Sequence, residues 1–156
     1  MGFYEREIET GAREVIEARH LARLRQLLSH SFEKNPFYRG KYTHAGLGSA
    51  EALLEAARSA ELFRELPVTT KAELLADQAA HPPYGSNLAT EPKHLVRQHQ
   101  TSGTTGTPLK VWETRESWDW MTRLWLRQYH TLNITSKDTV FMAFNFGLGL
   151  GLWNAL

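Results

Sequence analysis

The chain has 156 residues, a length that suits one domain with a modest core, and its apolar (42%) and charged (22%) fractions are ordinary for a globular protein. Its net charge of +1 supplies no global field for nucleic acid or for an anionic membrane surface. There is no cysteine, which excludes disulfides, thiolate metal sites and cysteine nucleophiles and agrees with a cytoplasmic protein.

The first twenty residues are rich in charge and hold no continuous apolar stretch, so they do not read as a secretory signal. Gly2 is not a myristoylation site, because Arg6 stands where Ser or Thr is required. Over residues 12–32, Val15, Ile16, Leu21, Leu24, Leu27, Leu28 and Phe32 recur at three- and four-residue spacings and predict an amphipathic helix that packs on a core. Asn35-Pro36 ends it, since the residue before proline is pushed out of the helical region. Residues 37–48 predict a loop or a short helix, and residues 50–60 a second short helix. Thr70 and Glu73 are spaced as a capping box, which starts a helix running to about Asp77, and residues 81–85 form a loop.

From Leu95 the character changes to α/β. Residues 95–100 predict a strand that enters a Gly-rich loop, and residues 109–112 a strand that leaves it. Thr114 is an N-cap for a helix carrying Trp118, Met121, Trp125, Tyr129 and Leu132 as a core-facing stripe. Residues 138–146 predict a further strand. Residues 140–156 carry no charge, yet a spanning helix needs about 20 apolar residues. This run is shorter and is interrupted by Asn145, Asn154 and alternate glycines, so it reads as a buried strand, a turn and the start of a helix. Its apolar ending looks like the middle of a core element, which leads us to expect a portion of something larger. His94 and His99 fall on opposite faces of the first strand, and no metal-ligand spacing is visible.

The loop is Thr101-Ser102-Gly103-Thr104-Thr105-Gly106-Thr107-Pro108. Glycines let the backbone turn tightly and bring N–H groups close to an anion, and the hydroxyls add donors. Between Pro92 and Trp112 there is no Asp or Glu, while Lys93, Arg97 and Lys110 are present, so a polyphosphate meets no like charge from this segment. A Gly/Thr cluster by itself also suits a plain turn between strands. The spacing is not that of a Walker A loop, which needs G-x-x-x-x-G-K-[ST], nor of a dinucleotide fingerprint.

The order of residues from Ser102 to Pro108 resembles the signature loop of the acyl-adenylate-forming superfamily. Asn35-Pro36-Phe37-Tyr38-Arg39, the run from Leu66 to Leu74 (LPVTTKAEL) and Ala143-Phe144-Asn145-Phe146-Gly147 are similar to segments of phenylacetate–CoA ligases and their relatives, some of them associated with capsule biosynthesis. The resemblance implies an α/β fold: a mainly helical region over residues 1–90, then the beginning of an AMP-binding α/β domain over 91–156. It implies ATP with its Mg2+, CoA and a carboxylic acid, aryl or arylacetic, as the molecules handled. Thr101, Ser102, Gly103, Thr104, Thr105, Gly106 and Thr107 would hold the ATP phosphates, the hydroxyls and the glycine N–H groups acting as donors. Many members carry lysine directly after the second glycine; here Thr107 takes that place and removes a positive charge, and Lys110 nearby is given no such role. Phe144, Asn145, Phe146 and Gly147 match a stretch that lines the acyl pocket, and their composition fits a plain core equally well. Adenine, ribose and metal ligands and the catalytic lysine lie downstream in relatives, so the expected function is the N-terminal part of an AMP-forming acid–CoA ligase, inactive alone. The alternative is a non-catalytic phosphate-binding module that needs a partner, whether the rest of the ligase or another copy.

Overall fold

The computed structural model describes residues 2–58, 63–103, 106–143, 147 and 149. It divides into two compact units: Ala12–Glu91, and Met1–Gly11 together with Pro92–Leu156.

The first unit is helical. α2 (Arg13–Lys34) follows the short α1 (Arg6–Glu9) of the other unit. Asn35 ends α2 and begins α3 (Pro36–His44): its side chain accepts from the Tyr38 N–H (3.2 Å), and Pro36 occupies the first turn, where a missing N–H costs nothing. A helix therefore stands where a loop or short helix was expected. α4 (Ala50–Ala56) is capped by Ser49 and is shorter than the expected 50–60; residues 59–62 lie outside the described residues. Leu28, Tyr42, Leu53 and Ala57 form the core, with Leu24, Phe32, Tyr38, Leu47 and Leu66 packed against them. Leu53 is fully buried, a burial that stabilises by about 1.5–3 kcal/mol. Of the stripe expected on α2, Leu24, Leu28 and Phe32 meet this core, whereas Leu27 is 60% exposed and Val15 points to solvent. Packing on α3 and α4 selects one narrow face of the helix.

α5 (Lys71–Ala80) carries the expected capping box and runs one turn past Asp77. Asp77 is buried and binds the loop that follows. It accepts from Ser86 N–H (2.8 Å), the Ser86 hydroxyl (2.5 Å) and Asn87 N–H (3.2 Å), and lies 3.0 Å from His81 Nδ1. Gly85 has φ +85°, and a Cβ there would stand 2.7 Å from Asp77 Oδ2, so glycine is required at this turn. Asn35 Nδ2 donates to the Asn87 carbonyl (2.6 Å) and ties the same loop to the α2–α3 corner.

The second unit is α/β. A single turn of 3-10 helix (Pro92–His94) precedes β1 (Leu95–Gln100), which pairs antiparallel with β2 (Lys110–Thr114). The register sets Arg97 opposite Glu113, His99 opposite Val111 and Gln100 opposite Lys110, with an irregularity between Leu95 and Arg97. Thr114 caps α6 (Arg115–Thr131), accepting from the Ser117 N–H (3.1 Å). Trp118 is the buried residue of α6; Leu132, expected in the same stripe, is 69% exposed beyond its end.

Two features depart from expectation. Residues 2–11 group with β1, β2 and α6: Glu5 pairs with Arg127, and the Tyr4 ring lies 5.4 Å from that of His130. The strand expected over 138–146 is not formed over 138–143, and residues 144–146 lie outside the described residues. Asp138 is drawn into a turn instead, its carboxylate accepting from Thr135 N–H (2.7 Å) and Thr135 hydroxyl (2.9 Å). Phe141 is 87% exposed. A strand exists only by pairing, and among the described residues β1 and β2 pair with each other alone.

Candidate phosphate-binding site

The loop is held at its neck by two hydrogen bonds that extend the β1–β2 ladder. Thr101 N–H donates to the Leu109 carbonyl (2.9 Å), and Leu109 N–H donates to Thr101 Oγ1 (3.0 Å). Thr101 thus closes the loop with both its backbone and its hydroxyl oxygen. Leu109 is buried beneath it.

Past this neck the chain turns at two glycines in the left-handed half of backbone space, Gly103 at φ +64° and Gly106 at φ +132°. A Cβ on Gly103 would lie 2.8 Å from the Gly106 carbonyl oxygen and 2.9 Å from Pro108 Cγ, so only glycine fits. Gly106 N–H donates to the Gly103 carbonyl (2.8 Å) and is taken up within the turn. Ser102, Gly106 and Thr107 are exposed. Thr104 and Thr105, expected to donate as well, lie outside the described residues, as do Phe144, Asn145 and Phe146 of the expected acyl pocket. Gly147, the fourth of that group, is exposed, and a Cβ there would meet no atom of the described residues within 4 Å.

Beneath the loop sits a feature that sequence alone did not single out. His99 is 2% exposed, and neither ring nitrogen has a hydrogen-bond partner among the described residues. Its ring stacks on that of Trp118 (centroids 5.7 Å apart, planes at 18°), and the Arg97 guanidinium lies 4.0 Å from the centre of the same indole. Ring pairs of this kind contribute about 0.5–1.5 kcal/mol, whereas a buried polar group left unpaired costs about 1–3 kcal/mol. Burial pushes the His99 ring below its ordinary value of 6.5; Glu113 opposes that shift and Arg97 adds to it. Strand alternation was expected to set His94 and His99 on opposite faces, but His94 lies exposed in the 3-10 turn before β1, so the alternation does not reach it. Which face of the ribbon a helix would cover was not visible from alternation.

Among the described residues no three His, Cys, Asp or Glu side chains converge as a metal site, and no helix is long and apolar enough to cross a membrane. In the helical unit, a shallow groove of about 400 Å³ runs between α2 and α4, lined by Arg25, Gln26, Ser29, His30, Glu33 and Leu54.

No family model matches the chain. The phenylacetate-coenzyme A ligase of Escherichia coli (strain K12) is 30% identical over 144 residues, 92% of this chain and 31% of that protein. The phenylacetate-coenzyme A ligase of Thermus thermophilus is 30% identical over 152 residues, 96% of this chain and 32% of that protein. A solved structure of 2-hydroxyisobutyryl-CoA ligase, in the postadenylation state with 2-HIB-AMP, matches with a TM-score of 0.88 at 30% identity over 99% of this chain and 31% of its own. The same ligase with 2-HIB-AMP and CoA, in the thioesterification state, gives 0.86 at 32% identity over 96% of this chain and 31% of its own. The chain spans about a third of the length of the relatives it matches.

Proposed function

We propose, starting from the chain's place in the phenylacetate–CoA ligase-like branch of the acyl-adenylate-forming superfamily, that it forms the phosphate-gripping portion of an AMP-forming acid–CoA ligase. The observation that carries this reading is the loop over residues 101–108. It is a glycine-built turn latched to a two-stranded ribbon, with exposed hydroxyls at Ser102 and Thr107.

In the first half-reaction a carboxylate oxygen of the acid bonds to the α-phosphorus of ATP, and the bond from that phosphorus to the bridging oxygen breaks. Pyrophosphate carries away the electron pair. In the second, the sulfur of CoA attacks the acyl carbon, the thiol gives up its proton, and AMP leaves. Both steps gain from positioning and from stabilising charge on the departing phosphates. Ser102, Thr104, Thr105 and Thr107 donate hydroxyl hydrogen bonds to the β- and γ-phosphates. Gly103 offers its N–H, and Gly106 offers its own once the turn bond to Gly103 is exchanged for a phosphate oxygen. Mg2+ enters with ATP. Arg97 and Lys110 flank the loop without a carboxylate between them, which favours the polyanion. The acid is aryl or arylacetic, and Phe144, Asn145, Phe146 and Gly147 wall its pocket.

The test is ATP binding and pyrophosphate–ATP exchange by the 156-residue chain. ATP is expected to stabilise it, by about 2.7 kcal/mol at a hundredfold excess over the dissociation constant, and Ser102→Ala with Thr107→Ala is expected to remove most of that gain. Exchange with an aryl acid is expected to be absent. Exchange by the chain alone would overturn the assignment of the remaining chemistry to other segments. Absence of ATP-dependent stabilisation would reduce the loop to a plain turn.

A further inference from the structure

We propose that His99 is a positioning residue: its ring, wedged against Trp118 between the β1–β2 ribbon and α6, fixes the base of the loop, and uptake of a proton undoes the wedge. The consequence for phosphate binding rests on the function proposed above; the structural consequence does not.

Three observations carry the argument. The first is place. His99 and its ladder partner Val111 are followed by the rung Gln100–Lys110 and then by the Thr101–Leu109 pair at the loop's neck, so a shift at His99 is passed through continuous hydrogen-bonded backbone to the loop. The second is enclosure. The ring is 2% exposed and stacked on Trp118, itself buried, so it holds ribbon and helix together. The third is chemistry. A neutral imidazole has one donor and one acceptor, and an imidazolium has two donors. Here both nitrogens are buried without a partner among the described residues, none of which offers an acceptor to a second N–H.

The charged groups acting on the ring agree. From β1 comes Arg97, which disfavours a proton; from β2 comes Glu113, which favours one; α6 presents Trp118, an uncharged ring already faced by the Arg97 guanidinium. Burial outweighs Glu113, and the folded ring holds its proton less well than at the ordinary value of 6.5. The unfolded ring protonates at 6.5, so the stability that neutral His99 supports is complete above that pH and is lost as pH falls below it toward the folded value. The accessible way for the ring to take a proton is to leave the stack and reach water, which parts α6 from the ribbon.

The experiment follows the His99 ring by NMR in the whole chain, with amide exchange in parallel, from about pH 7.5 to about pH 5. Protection in β1, β2 and α6 is expected to fall by up to about tenfold per pH unit as the ring protonates, while α2–α5 hold theirs. His99→Phe keeps a ring against Trp118 and removes the titration, so its protection is expected to stay level. A ring that titrates at 6.5 while β1, β2 and α6 stay protected overturns the proposal. So does an acid loss that His99→Phe leaves unchanged. Should His99→Phe fail to fold, the wild-type ring titration decides alone. With inorganic pyrophosphate as probe, the ratio of His99→Phe to wild-type affinity is expected to rise as pH falls, since pyrophosphate's own protonation cancels in the ratio. A constant ratio overturns the link to the loop. Absence of pyrophosphate binding at every pH strikes the proposed function and leaves the exchange result to judge the wedge.

Discussion

Gly103 shows how much one position can dictate. Its φ of +64° and the 2.8 Å approach of the Gly106 carbonyl leave no room for a side chain. Gly103→Ala is expected to cost about 1–3 kcal/mol in backbone strain and to abolish the ATP-dependent rise in melting temperature. Thermal melts with and without ATP check this; a variant that keeps its ATP response would show that the turn is not what grips phosphate. The need for glycine here was legible, because the motif's spacing points to a tight anion-binding turn. The role of Thr101 was only half legible: its hydroxyl oxygen accepts from Leu109 at the neck, a use that needs β2 in register. Asp77 and His99 were missed in their structural roles. Neither belongs to a local pattern. Asp77 acquires meaning from Ser86 and Asn87 folding back on it, and His99 from Trp118, nineteen positions on in the sequence.

Elements whose signals are local came through best. The Thr70–Glu73 capping box and the Thr114 cap each involve a side chain three residues from its partner, so they are fixed before any tertiary contact exists. α5 also takes part in a long-range bond, Lys41 Nζ donating to Glu73 Oε1 at 2.5 Å. That bond, with the N–H and hydroxyl of Thr70, holds the Glu73 carboxyl well below its ordinary 4.5, at about 2. A depressed carboxylate lends stability that is complete above the unfolded value and is lost as pH falls through the folded one. The loss attached to Glu73 therefore runs from 4.5 down to about 2. Glu73→Gln is expected to flatten that part of the curve of urea midpoint against pH. An unchanged acid limb would mean that the capping box and the Lys41 bond do not differ between folded and unfolded states. The strand expected over 138–146 shows the opposite case. Its apolar run suited a strand, but the Thr135–Asp138 turn and the lack of a pairing partner among the described residues decided otherwise over 138–143.

For the whole molecule, chain order is a poor guide to grouping. Residues 1–11 join β1, β2 and α6, with Glu5 paired to Arg127 at a separation of 122 positions. Deleting residues 1–11 is expected to lower amide-exchange protection in the C-terminal half of α6, where Arg127 loses its carboxylate, and to leave α2–α5 unchanged. Equal loss in both units, or none, would count against a packing role for this segment. By itself the sequence determined the helical beginning, the strand–loop–strand around residues 101–108, the caps and the superfamily resemblance. These rest on spacings of two to four residues and on a contiguous motif, which local backbone physics translates directly. Tertiary structure alone decided which stripe of α2 is buried, that residues 2–11 pack on α6, that Asp77 binds the loop after α5, and that His99 lies enclosed two residues before the loop over 101–108. Those outcomes depend on which distant surfaces meet, and burial is a property of the meeting rather than of either residue.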